Sequence, residues 1–173
     1  AFHKPAGIVC TTSKIDKNNV IDYLNFPERI YPVGRLDKES TGLLLLTNNG
    51  QLMDDVLRGS NYHEKEYIVH VNKPITDSVL QAMAQGVPIL DTITRPCKIR
   101  RMGKDCFYIT LTQGLNRQIR RMCEYFDYRV TSLKRIRIMN IELGSLPVGK
   151  WRELTPSEIK TLKNLAQNKG EAE

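Results

Sequence analysis

The sequence predicts an α+β fold, with a mixed and largely antiparallel sheet and flanking helices. Three observations point to it: the 173 residues contain many short strand-like segments, only a few helical segments separate them, and strand and helix do not alternate regularly. A chain of this length can bury a core without disulfides or metal ions. We therefore expect one domain, or one domain of two fused halves.

The first third of the chain contains two predicted strands and two predicted short helices. In chain order the elements are a strand broken by a Pro-Ala-Gly turn (2–12), a short helix (16–24), a loop (27–41), a strand (42–48) and a helix that ends at Gly59 (51–59). Two prolines and the nearby glycines predict the loop. The uninterrupted leucines that follow are typical of a strand covered on both faces.

The rest of the chain switches irregularly between strands and helices. In chain order the elements are a strand (64–72), a helix (76–86), three strand-like pieces (87–94, 97–102 and 106–112), a helix (116–126), a strand (135–143) and a C-terminal helix (155–168). Thr76 can cap its helix and Gly86 can end it. Thr155 and Glu158 form a capping-box pattern. The alternation of apolar and polar residues in the strand 135–143 changes phase after Ile138, which predicts a β-bulge or a segment buried on both faces.

The net charge of +7 favours a polyanionic partner, with nucleic acid ahead of a membrane surface or an acidic protein. A merely soluble basic protein is the alternative that charge alone leaves open. No apolar run reaches the roughly 18 residues that span a bilayer, and no signal peptide is visible. We expect a monomeric, cytoplasmic protein without membrane contact.

The four cysteines, Cys10, Cys97, Cys106 and Cys123, form no CxxC pair, and none lies near a histidine at metal-ligand spacing. Scattered cysteines of this kind are typical of reduced, mostly buried thiols in a cytosolic protein. We therefore expect no metal site.

The segment 116–126 predicts a helix with arginine on one face and apolar side chains on the other. Arg117, Arg120 and Arg121 fall at positions i, i+3 and i+4. No glutamate partner is predicted on that face, so the arginines could hold a phosphate or a carboxylate. A solvated amphipathic helix is the alternative, although such helices normally mix lysine and glutamate.

Two stretches of the sequence, 95–104 and 129–137, are basic and contain no acidic residue. Strands with alternating basic side chains make a surface that can follow a phosphate backbone. Aromatic residues lie nearby, and proteins commonly hold single-stranded RNA by stacking on an unpaired base. Most of these aromatics are expected in the core. Tyr67 is the exception, because it begins a strand beside charged residues.

Asp37 lies in a charged loop, residues 34–40, directly before the leucine-rich strand. No histidine and no second carboxylate is expected beside it, which argues against a metal site. An arginine such as Arg120 could keep it ionised, and an ionised carboxylate held by an arginine can act as a nucleophile or a base. On chemistry alone, an aspartate that makes a turn or a salt bridge is the simpler interpretation.

Taken together, these segments resemble the pseudouridine synthases, in particular the branch that modifies ribosomal RNA. The matching segments, in the family's order, are HKPAGIVCTT (3–12), GRLDKESTGLLLLTNNG (34–50), EKEYIV (64–69), LTQGLNRQIRRMC (111–123) and LKRIRIMNIELGSLPVGKWREL (133–154). The resemblance covers residues 2–154. Ser40, Thr41 and Asn49 depart from the family's usual residues, but the GRLD core is intact.

The resemblance implies a role for each matching residue. Asp37 corresponds to the catalytic aspartate, Tyr67 to the aromatic residue that stacks on the target uracil, and Arg120 to the basic residue that pairs with the aspartate. Ile119 would pack beside the base, and Arg35 would fill the space that the flipped uridine leaves in the RNA. Three further residues are expected to contact the substrate: Lys65, Arg117 and Arg121.

The resemblance also implies the reaction, which is the isomerisation of uridine to pseudouridine in ribosomal RNA, here the 23S RNA. The uridine is flipped out, its glycosidic bond is cleaved with the help of the aspartate, and the base is rejoined through C5. No cofactor is implied. Ribosomal RNA is the implied partner, and transfer RNA is a further candidate.

The implied fold is the pseudouridine synthase catalytic fold in two α/β halves. The expected boundaries are 1–62 and 63–155, followed by the C-terminal helix. The S4-like RNA-binding domain typical of this branch is absent from the sequence given.

Two other classes of protein explain the sequence less well than a synthase does. A non-catalytic RNA-binding module would explain the charge and the aromatic residues, but not a carboxylate among them, because a carboxylate repels phosphate. A metal-dependent nuclease would need clustered carboxylates or histidines, and the only histidines are His3, His63 and His70.

Overall fold

The computed structural model describes residues 1–58 and 62–167. Its helices are α1 (Val20–Leu24), α2 (Gly50–Leu57), α3 (Asp77–Gln85), α4 (Gln118–Tyr125) and α5 (Pro156–Gln167). Its strands are β1 (Phe2–Lys4), β2 (Tyr31–Val33), β3 (Thr41–Thr47), β4 (Lys65–Val71), β5 (Pro88–Ile89), β6 (Thr92–Ile93), β7 (Lys98–Gly103), β8 (Cys106–Leu111), β9 (Val130–Ile138) and β10 (Ile141–Glu142). None of the helices in these two ranges is long and apolar enough to cross a bilayer.

One eight-stranded sheet organises the described residues. Its main order is β1-β3-β9-β4-β8-β7, with β2 added to β3 and β10 added to β9. The pairs are antiparallel except for β3 and β9, which run parallel. This arrangement confirms the predicted α+β class with a mixed, largely antiparallel sheet.

The parallel pair of β3 and β9 depends on Gly42. In the register of this pair Gly42 lies opposite Arg135, and its φ is +110°. A Cβ atom at this position would overlap the backbone of Arg135. Glycine is therefore required both for its backbone conformation and for the close approach of the two strands. The contact brings β9 beside the loop that precedes β3.

Strand β3 is buried on both faces, as its leucines predict. Leu43 and Leu45 pack into a cluster with side chains of α2, α5 and β10, whereas Leu44 packs on the other face with Phe2 and Val20. A separate cluster underlies β4, β8 and β9 and is covered by α3 and α4. Because core side chains hold β3 from both sides, the preceding loop has a firm support.

The helix caps predicted at Thr76 and Thr155 are both confirmed. The Thr76 hydroxyl accepts a hydrogen bond from the Val79 amide, and α3 ends at Gly86. At the start of α5 the Glu158 amide donates to the Thr155 hydroxyl over 3.1 Å, and the Thr155 amide donates to the Glu158 carboxylate over 2.9 Å. This reciprocal pair is the capping box. The predicted helix end at Gly59 lies outside the described residues.

Two sequence predictions are wrong in detail. The predicted loop 27–41 contains β2, a short edge strand that tolerates Pro32 because it pairs only with β3. The change of phase after Ile138 is not a bulge. It is a two-residue hairpin turn, in which Met139 has a φ of +53° and Ile141 pairs back onto Ile138.

Candidate active site

A cleft of about 600 Å³ opens between the loop 34–40, the start of β4 and the start of α4. Seven of the eight site residues predicted from the sequence line this cleft: Arg35, Asp37, Lys65, Tyr67, Arg117, Ile119 and Arg120. The eighth, Arg121, does not line it. A second cavity of about 380 Å³ lies against α5 and has a mostly apolar lining around Trp151. The first cleft is therefore the candidate active site.

A buried lysine fixes the loop that carries Asp37. Lys4 is fully buried, and its Nζ donates to the carbonyl oxygens of Pro5, Lys38 and Ser40 over 2.9, 3.1 and 2.7 Å. These three acceptors satisfy all three donors of an ammonium group. Burial lowers the pKa of Lys4. The sequence pattern contained this lysine but did not reveal that it ties the loop to β1.

Asp37 and Arg120 form the ion pair that the sequence predicted. The Nε of Arg120 donates to Oδ2 of Asp37 over 3.3 Å, and one terminal nitrogen of Arg120 donates to the Ser40 hydroxyl over 2.8 Å. The Arg120 side chain is only 11% exposed. Two partners and this burial fix the guanidinium, so the carboxylate faces a cation that cannot easily move away.

Glu39 is a site residue that sequence reasoning missed. Its Oε1 lies 2.8 Å from a terminal nitrogen of Arg117 and 3.8 Å from Nε of Arg120. Arg117 also lies 3.4 Å from Oδ2 of Asp37. The expectation that Asp37 has no second carboxylate nearby is therefore wrong, as is the expectation that these arginines have no acidic partner. The hydrogen bond from Arg117 is the main cause that lowers the pKa of Glu39.

The three arginines of the predicted helix do not form one anion-binding face. Arg117 is the residue before the first turn of α4 and has left-handed backbone angles, φ +49° and ψ +39°. Arg121 instead turns to Asn116 and donates to its main-chain and side-chain oxygens. The helix begins later than the sequence pattern indicates, so the spacing i, i+3, i+4 does not apply to Arg117.

Strand β4 places Lys65 and Tyr67 on the same side of the sheet, two residues apart. The Tyr67 ring is half-buried against two of the core clusters. Burial, and to a lesser degree the charge of Arg135, lowers the pKa of Lys65 to about 8. Ile119 on α4 is buried and lines the same cleft. The cleft thus combines an aromatic ring, an apolar wall and an amine whose pKa is lowered.

Several arginines of the two basic stretches are paired or buried. Arg101 lies 2.7 Å from Asp77, and Arg137 lies 3.5 Å from Glu64. Arg135 is 3% exposed and donates its Nε to a main-chain oxygen of β3 over 2.8 Å. Within the described residues one terminal nitrogen of Arg135 has no hydrogen-bond partner. The predicted basic surface is wrong for Arg135, which is buried. Arg101 and Arg137 have acidic partners that are distant in sequence.

One group of side chains in the described ranges could hold a cation, and it lies outside the cleft. The ligand atoms of His70, Asp105 and Cys106 lie within 4.8 Å of one another, because β4 and β8 pair His70 with Cys106. The spacing of cysteines along the sequence could not reveal this group. Burial raises the pKa of Cys97 to about 11 and that of Cys123 to about 12, so both are thiols at neutral pH.

The carboxylate of Asp37 presents its two oxygens differently. Both arginines contact Oδ2, and Oδ1 has no hydrogen bond to any described residue. A carboxylate anchored through one oxygen by cations leaves its other oxygen to attack a carbon or accept a proton. The hydroxyl of Tyr67 likewise has no partner among residues 1–58 and 62–167. The cleft therefore offers a fixed nucleophile or base beside an aromatic platform.

Comparison with known proteins returns one family. A family profile described as RNA pseudouridylate synthase matches residues 1–125. The backbone matches a solved structure described as the crystal structure of pseudouridylate synthase, with a TM-score of 0.85 and 31% identity. That match covers 93% of this chain and 71% of the other.

Two curated relatives are similar over most of the chain. The chain is 53% identical over 167 residues to the dual-specificity RNA pseudouridine synthase RluF of Salmonella typhi, a match that covers 96% of this chain and 58% of that protein. It is 34% identical over 176 residues to the ribosomal large subunit pseudouridine synthase B of Bacillus subtilis, covering 96% of this chain and 72% of that protein. Residues 63–77 and 114–128 resemble the large-subunit type F enzyme, and the similarity to RluF confirms this prediction. The chain spans less than two thirds of the RluF proteins that it matches.

Proposed function

The chain belongs to the RNA pseudouridylate synthase family, and on this basis we propose that it converts uridine to pseudouridine in ribosomal RNA of the large subunit. The observation that carries the proposal is Asp37, held by Arg120 at the mouth of a cleft that also contains Tyr67. The name of the Bacillus subtilis relative, which refers to the large ribosomal subunit, supports this class of substrate.

The reaction requires that the target nucleotide leaves the RNA stack. Neither C1′ of the ribose nor C5 of the base is accessible to a protein side chain inside a stacked helix. The cleft volume of about 600 Å³ lies in the range of sites that enclose a small molecule, so one flipped nucleotide can enter it. Arg35 is exposed at the rim and, in this proposal, occupies the space left in the RNA.

The chemistry breaks the bond between N1 of uracil and C1′ and forms a bond between C5 and C1′. N1 gains a proton, and C5 loses one. Asp37 assists the cleavage by attacking the sugar or the ring, or by removing a sugar proton, and its Oδ1 is the oxygen available for each route. Tyr67 stacks on the detached uracil and assists the loss of the C5 proton, while Ile119 packs against the base.

Three cationic side chains are proposed to contact the RNA backbone or the flipped nucleotide. Lys65 lies on the floor of the cleft, and Arg117 lies at its mouth with a side chain that is 40% exposed. Arg121 lies outside the cleft, so in this proposal it contacts flanking RNA only. Direct contacts with phosphate explain binding strength but not the choice of uridine.

The alternative of a non-catalytic RNA-binding module has no specific support in the site. Asp37 and Glu39 together place two carboxylates at the cleft mouth. Each carboxylate takes up an arginine that a site for phosphate alone would leave free to bind RNA. A catalytic role for one of the carboxylates accounts for it.

The proposal is tested with RNA that contains uridine tritiated at C5. We expect the chain to release tritium into water from large-subunit ribosomal RNA, because C5 loses its proton in the reaction. Carbodiimide primer extension on the product then maps the modified uridine. Release from transfer RNA alone would contradict the proposed substrate, and no release from either RNA would contradict the proposed activity.

A further inference from the structure

The charges around Asp37 form an alternating chain of four side chains. In spatial order these are Arg120, Asp37, Arg117 and Glu39, joined by contacts of 3.3, 3.4 and 2.8 Å. The shortest of the three contacts belongs to Arg117 and Glu39, not to Arg117 and Asp37. Arg117 is therefore drawn toward the outer carboxylate and makes only a long contact with the inner one.

The two arginines differ in how firmly they are held. Arg120 is nearly buried and bonded to the Ser40 hydroxyl, whereas the Arg117 side chain is 40% exposed. Within the described residues the acidic partners of Arg117 are Asp37 and Glu39. If the charge of Glu39 were removed, Arg117 would have one carboxylate left, and Oδ1 of Asp37 is open to receive it.

The backbone at Arg117 gives a second, independent indication that its position is specified. A left-handed conformation is unfavourable at a residue other than glycine, because Cβ crowds the following carbonyl oxygen. The residue occupies the N-cap position of α4 but makes no side-chain capping bond, so capping does not explain the strain. Strained backbone persists where surrounding contacts over-determine it, commonly at functional sites.

We propose that Glu39 is a positioning residue that holds Arg117 away from the free oxygen of Asp37. This inference rests on the proposed function, since it assigns a task to Glu39 in the same reaction. Glu39 also lies 3.8 Å from Nε of Arg120, but its shorter contact, 2.8 Å, is with Arg117. It competes for the Arg117 guanidinium, and the reactive oxygen of Asp37 stays without a hydrogen bond.

The proposal makes an unusual prediction for Glu39→Gln. Removal of a negative charge from an RNA-binding cleft should leave RNA affinity unchanged or increase it. The single-turnover rate at saturating RNA should nevertheless fall about tenfold, because Arg117 now occupies Oδ1 of Asp37. Glu39→Asp keeps the charge and should retain more of the rate than Glu39→Gln. The matched control is Glu142→Gln, an exposed glutamate on β10, which should change neither quantity.

A double-mutant cycle with Arg117→Met tests the inference directly. If Glu39 acts only through Arg117, Glu39→Gln should cause no further loss of rate in the Arg117→Met background. Three results would overturn the inference. Glu39→Gln alone could leave the rate unchanged, it could weaken RNA binding, or it could lower the rate equally in the wild-type and Arg117→Met backgrounds. Each of those results requires an active wild-type chain and leaves the proposed function standing. An inactive wild-type chain would overturn the proposed function, and this inference with it.

Discussion

Arg120 donates its Nε to Oδ2 of Asp37 over 3.3 Å, across 83 positions of sequence. This contact joins the loop before β3 to α4, so the site exists only when both elements are in place. The two residues are held by different parts of the fold. Arg120 lies on α4, which packs on the cluster under β4, β8 and β9, and Asp37 lies on the loop that Lys4 fixes.

Arg120→Met should lower both activity and stability. The substitution keeps an unbranched apolar stem but leaves the partly buried carboxylate without its firmest cation, which costs about 1–3 kcal/mol in the free energy of unfolding. The single-turnover rate should fall at least tenfold. Urea denaturation and tritium release check the two quantities. Arg121→Met is the matched control, because the side-chain hydrogen bonds of Arg121 to described residues all go to Asn116 in its own loop. A loss of equal size in this control would contradict the assignment.

Gly42→Ala should destabilise the protein strongly. A methyl group at residue 42 overlaps the backbone of Arg135, and a φ of +110° disfavours alanine as well. We expect a loss of roughly 3 kcal/mol or more, measured by urea denaturation. Gly7→Ala is the control: it also has a positive φ, +92°, but open space around the new methyl group, so about 1–2 kcal/mol should be lost. Equal losses in the two variants would contradict the close packing of β3 and β9.

Lys65 should make the stability of the protein vary with pH in the alkaline range. Its folded pKa is lowered to about 8, so between pH 8 and the unfolded value of about 10.4 the unfolded chain binds more protons at this residue. Stability contributed by this group therefore rises with pH in that window, by up to about 3 kcal/mol. Lys65→Met should be more stable than the wild type at pH 7 by a margin that shrinks toward pH 10.5. A margin that does not change with pH would show that the lysine is not destabilised by burial.

The sequence predicted the parts of the site that lie in short, distinctive segments. Asp37, Tyr67 and Arg120, which the fold brings to one cleft, each belong to a recognisable motif. The leucines of β3 predicted burial on both faces because no polar residue interrupts them. The capping residues Thr76 and Thr155 were found because a cap acts over only three residues.

The parts that were missed depend on contacts between distant segments. Glu39 lies in the charged loop, but its place in the site depends on its ion pair with Arg117, which is 78 positions later in the sequence. The sequence did not predict the burial of Arg135, because a basic residue in a strand is normally solvent-exposed. In the fold, the close approach of β3 and β9 at Gly42 encloses this residue. The left-handed backbone of Arg117 has no local signal, since that conformation is rare for arginine. Pro32 concealed β2 because proline is tolerated only at the edge of a sheet.

The most direct test of the account is the single-turnover rate of Asp37→Asn on large-subunit ribosomal RNA tritiated at C5 of uridine. Asparagine keeps the shape of the side chain but can neither attack as a nucleophile nor accept a proton as a base. We expect no tritium release above background, with a circular dichroism spectrum and RNA affinity close to those of the wild type. Tritium release by Asp37→Asn at the wild-type rate would contradict the central claim that this carboxylate carries the chemistry.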